Sequence, residues 1–68
     1  MKTNSIGVAA RALGIPIRDV GNAVERIKQA VGLHRNAKVE IDTDNGEVSV
    51  ENTGEWVGNI YDELGYGR

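Results

Sequence analysis

The stretch KVEIDTDNGEVSVE, residues 38–51, decides the fold. Val39 and Ile41 alternate with Lys38, Glu40 and Asp42, and Val48 and Val50 alternate with Glu47, Ser49 and Glu51. Successive side chains on a strand point to opposite faces, so this period of two predicts two strands, each with an apolar and an acidic side. Asp44, Asn45 and Gly46 lie between them. Asn-Gly tolerates positive φ at both central turn positions, the backbone that matches the twist of paired strands, so a β-hairpin is expected over residues 38–51. Downstream, Asn52, Thr53 and Gly54 mark a second turn. Residues 55–60 then read as a third strand anchored in the core by Trp56, residues 61–64 as a short helical turn, and residues 65–68 as a loose tail.

Upstream the period changes to that of a helix. Ile17, Val20, Val24, Ile27 and Val31 recur at steps of three and four, opposite Arg18, Asn22, Glu25, Arg26, Lys28 and Gln29. That is one apolar stripe on a helix over residues 16–31, with Pro16 in its first turn and Gly32 as its stop. Gly21 sits in the middle of it and is expected to admit the close approach of a preceding helix. That helix is capped by Asn4 or Ser5, carries Ile6, Ala9, Ala10 and Leu13 on its apolar side, and ends at Gly14. Residues 1–4 are left to fray. The stripe has one surface to seal against, the apolar side of the strands. The expected fold is therefore α+β, a single domain over residues 1–68, with two N-terminal helices on one face of a two- to three-stranded antiparallel meander. Val31, Leu33, Val50 and Trp56 are counted in its core.

A chain of 68 residues buries only about 60% of the surface that its unfolded form exposes. Small domains add disulfides, metals or partner chains to compensate. Cysteine is absent and His34 is the single histidine, short of the several nitrogen or sulfur ligands that zinc takes, so no metal site or other cofactor is expected. Good packing or a homodimer is what remains. No apolar run approaches the roughly 20 residues of a membrane helix. The expectation is a cytoplasmic protein, or the secreted tip of a longer effector.

The net charge of −2 conceals two opposed halves: residues 1–38 sum to +5 and residues 39–68 to −7. A basic end suits phosphate and an acidic end suits something else. Ala10, Gly14, Ile15, Val20 and Ala23 have the spacing of a helix-turn-helix, in which a small residue and a turn glycine let two helices cross closely. In that reading Arg18, Asn22, Arg26 and Gln29 face the major groove, as in a phage or bacterial DNA-binding regulator. Asp19 and Glu25 on the same helix and the acidic hairpin oppose it.

Three further stretches carry a resemblance: AVERIKQAVGL (23–33), VEIDTDNGEV (39–48) and GEWVGNIYDELG (54–65). In this order and spacing, residues 20–65 resemble the C-terminal domains of bacterial polymorphic toxins of the RHS and contact-dependent type. The resemblance implies an effector directed at nucleic acid, RNA above all, and an immunity protein as partner. Lys28 matches the family pattern and would neutralise phosphate. Glu25 stands where that helix often carries a histidine, the general acid or base of RNA cleavage. His34 is the candidate substitute, with Arg26, Lys28 and Arg35 around it as a phosphate patch; without such a group the chain is a non-catalytic relative. A third reading makes the domain a protein-binding module, in which the acidic hairpin and Trp56 dock a basic partner.

Overall fold

The computed structural model describes residues 1–66. In chain order they form β1 (Lys2–Thr3), α1 (Ile6–Leu13), α2 (Ile17–Val31), β2 (Val39–Asp42), β3 (Glu47–Val50), β4 (Trp56–Asn59) and α3 (Ile60–Leu64). The four strands make one antiparallel sheet in the order β1-β2-β3-β4. Helices α1 and α2 cover one of its faces, as the apolar stripe requires.

Local chemistry accounts for the helix ends. Ser5 caps α1, its hydroxyl accepting from Val8 N–H at 3.2 Å. Gly14 (φ 69°) and Gly32 (φ 78°) end α1 and α2 in the left-handed conformation that a side chain disfavours. Pro16 stands at the N-cap of α2, one residue outside its expected place. The core joins Ala9, Ala10, Leu13 and Ile15 with Val20, Ala23, Val24 and Ile27 of α2, Val39, Ile41 and Val48 of the sheet, and Ile60.

Several expectations need correction. The sheet has four strands, because residues 1–4 are not frayed: Lys2 pairs with Asp42 and Thr3 with Ile41. Thr43 fastens this edge, its N–H and Oγ1 both donating to the Met1 carbonyl at 2.7 and 2.9 Å. The hairpin turn is wider than a two-residue Asn-Gly turn. Asp42 accepts from Gly46 N–H at 2.8 Å, only Gly46 has positive φ (78°), and the Asn45 side chain instead accepts from Glu47 N–H.

Trp56 is not a core anchor; it is 62% exposed. The cause is a bulge in β4. Val48 pairs with Gly58 but Ser49 pairs with Trp56, which leaves Val57 as the extra residue. One inserted residue reverses the side to which every later side chain points. Gly58 therefore faces the helices and Trp56 faces away. Val31 is likewise exposed, as is Ile17 at the other end of the stripe. Both lie at the ends of α2, the first and last residues of the helix.

Gly21 does not admit α1, since a methyl group there would meet nothing within 4 Å; the close contact is at Gly58, against Ile27. Finally, Gly65 and Tyr66 are held. Gly65 caps α3, Tyr66 N–H bonds the Tyr61 carbonyl at 2.9 Å, and the two tyrosine rings lie 5.9 Å apart. The expected looseness of Gly67 and Arg68 falls outside the described residues.

Candidate nucleic-acid interface

Where α2 ends, the chain turns back along it before entering β2. Leu33 N–H bonds the Lys28 carbonyl at 2.9 Å, and Ala37 N–H bonds the His34 carbonyl at 2.9 Å. The Lys28 ammonium crosses to the Arg35 carbonyl at 3.0 Å and so braces the loop against the helix. Glu51 N–H bonds the Lys38 carbonyl at 3.1 Å and fixes the far end of the loop to the sheet.

Between this loop, α2 and the start of α1 runs a trough. One part has a volume of about 390 Å³, with Lys28, Asn36 and Lys38 on its rim and Ile6, Val24 and Val39 below. A second part, about 460 Å³, shares Ile6, Val24, Lys28 and Asn36 and extends to Glu25 and Arg35. The two are thus one trough with an aliphatic floor, three cations and two asparagines, Asn4 and Asn36, along its walls, and one carboxylate at its end. Lys28 is half-buried, and Arg35 and Lys38 are exposed. Cations at the edge of an apolar surface attract a phosphate without the cost of deep desolvation.

The residues expected at a site are divided by this geometry. Lys28, Arg35 and His34 come together on the loop and the adjoining edge of α2. Arg26 does not join them: at 100° per residue it lies about 160° round the helix from Lys28. Its guanidinium Nε meets Glu63 Oε1 at 3.2 Å, tying α2 to α3. Arg18, Asn22 and Gln29 are exposed and share one stripe of α2 between those edges, and Glu25 sits within that stripe. Ala10, Ile15, Val20 and Ala23 are all buried, as a helix-turn-helix requires of those positions.

His34 is exposed, and its Nδ1 accepts from Asn36 N–H at 3.0 Å. Trp56 lies far from this arrangement in role, on the outer side of the sheet, its indole N–H donating to Glu47. Among the described residues, no three His, Cys, Asp or Glu side chains are placed to share a metal ion. None of the helices there is long and apolar enough to cross a membrane.

Sequence reasoning missed Asn36, Lys38 and Ile6 as trough residues. Lys38 had a signal, since it is a cation directly before an apolar strand position. Asn36 and Ile6 had none, because only the folded loop brings them beside α2. No protein-family model matches the chain, and no curated protein or solved structure shows significant similarity to it.

Proposed function

We propose that this domain is a toxin-like nucleic-acid-binding domain that takes single-stranded RNA in the trough beside α2, and that it binds without cleaving. The observation that carries the reading is the placement of Lys28, Arg35 and Lys38 around one aliphatic floor. An unpaired strand offers what such a site needs, a phosphate for the cations and an unstacked base for the apolar surface. The Asn36 side-chain amide has both donors and an acceptor for a base edge.

The chemistry of His34 favours binding over cleavage. Acid–base cleavage of RNA needs one group to take the 2′-hydroxyl proton and another to protonate the leaving oxygen. His34 Nδ1 is engaged by Asn36 N–H, which leaves Nε2 as its one unengaged ring nitrogen. Glu25, the one carboxylate that lines the trough, lies at its far end with Arg35.

Fluorescence anisotropy with a labelled single-stranded RNA tests this reading. Affinity should fall as salt rises, because bound phosphates release counterions. Replacing Lys28 and Lys38 by alanine should weaken binding at least tenfold and lower the salt slope by roughly 0.7 for each lost phosphate contact. Binding that ignores salt, or that survives both replacements, would reject the trough. A helix-turn-helix reading keeps one support, the burial of Ala10, Ile15, Val20 and Ala23. It predicts the opposite pattern: duplex DNA bound more tightly than RNA, and binding lost with Arg18→Ala and Gln29→Ala.

A further inference from the structure

The outer side of the sheet bears on a different interaction. Glu40 pairs with Ser49, and Ser49 pairs with Trp56, so these three form a row across β2, β3 and β4. Neighbouring strands are about 4.8 Å apart, which puts the backbones of Glu40 and Trp56 roughly 10 Å from each other on one sheet. Trp56 is 62% exposed and its N–H is already engaged by Glu47. The ring therefore offers an apolar face beside the Glu47 carboxylate, in the same row as Glu40 and next to Glu55 in the chain. Among the described residues, neither Glu40 nor Glu55 has an ion-pair partner.

The α1–α2 corner has the complementary character. Val8 and Ile17 are exposed and line one shallow depression, together with Gly7, Gly14 and Arg11. A methyl group on Gly7 would meet Ile17 Cδ1 at 3.6 Å, an ordinary van der Waals contact, so the bare glycine leaves the depression about one methyl group deeper at this point. Arg11 borders the depression, Arg18 follows Ile17 in the chain, and neither has an ion-pair partner among the described residues. The molecule thus carries an aromatic ring among free anions and an aliphatic depression beside free cations.

We propose that these two surfaces dock on each other between copies of this chain, Trp56 of one molecule seated in the Val8–Ile17 depression of the next. Arg11 and Arg18 then lie among Glu40, Glu47 and Glu55. The two surfaces differ, so the contact is head-to-tail and each docked molecule presents a fresh copy of both. A molecule measuring 26 × 22 × 20 Å has little area to offer. The contact falls at the small end of specific interfaces, below about 1,200 Å² in total, and association is weak and rises with concentration. The trough takes no part, so this contact stands or falls independently of RNA binding.

Sedimentation of the purified protein up to about 1 mM, the concentration that weak contacts require, provides the test. Species larger than a monomer should appear at about 0.05 M salt and diminish at about 0.5 M, where screening shortens to roughly 4 Å. Trp56→Ala and Ile17→Ala should each give a monomer, with circular dichroism checking that both still fold. The decisive arm is the mixture. Trp56→Ala keeps a working depression and Ile17→Ala keeps a working indole, so the two variants together should form a one-to-one dimer and nothing larger. If either variant unfolds, Glu40→Lys and Arg18→Glu take their places in the same experiment. A monomer under every condition would overturn the proposal, as would a mixture that fails to associate. A wild-type dimer that never exceeds two copies would also overturn it, because it requires a closed symmetric contact.

Discussion

Gly58 of β4 lies directly against Ile27 of α2: a methyl group on Gly58 would stand 3.0 Å from Ile27 Cγ1 and 3.1 Å from both Cδ1 and Cγ2. Here α2 packs tightly on β4. Ile27 is 2% exposed, so its side chain has no free space into which to withdraw. Gly58→Ala should therefore destabilise the domain by about 1–3 kcal/mol, the usual cost of overpacking a filled core. Chemical denaturation would show this as a lower midpoint with an unchanged slope. A midpoint equal to the wild type would mean that α2 does not rest on Gly58.

Gly21 gives the opposite prediction. It is helical and a methyl group there meets nothing within 4 Å. Gly21→Ala should stabilise the domain by about 1 kcal/mol, the difference between the two residues inside a helix. For a domain of this size that raises the melting temperature by roughly 4–8 °C.

Asn59 is a joint between three segments. It is 4% exposed; its Oδ1 accepts from Asp62 N–H at 3.1 Å and its Nδ2 donates to the Asn45 carbonyl at 3.1 Å. Thus one side chain caps α3 and holds the hairpin turn. Asn59→Ala loses both bonds and should cost about 2–3 kcal/mol, more than the roughly 1 kcal/mol expected of Ser5→Ala, which loses a single exposed cap. Thermal melts of the two variants side by side would reveal the difference, and equal losses would count against the double role.

These sites show why the sequence was legible in some places and not in others. The stripe of α2, the glycine stops and the alternation around Asn45-Gly46 are local patterns, and local patterns determine local structure. Residues 2 and 3 carry no pattern of their own; they become a strand only because β2 offers an unpaired edge. Trp56 was misplaced because alternation assumes an unbroken register, and Val57 breaks it. Within the site, Lys28 and Arg35 were visible as cations near a helix end. Asn36 and Lys38 join them through loop geometry that no spacing rule encodes.

Binding without cleavage predicts that total RNA incubated with the protein stays intact, as judged on a denaturing gel against a buffer control. Fragments that appear with the wild type and vanish with His34→Ala would show a catalytic domain instead.

The trough itself is tested most directly by nuclear magnetic resonance titration of the labelled protein with a short single-stranded RNA at low salt. Chemical-shift changes should concentrate at Ile6, Val24, Lys28, Asn36 and Lys38. Changes gathered on Arg18, Asn22 and Gln29, or no change at all at saturating RNA, would contradict the assignment of this surface.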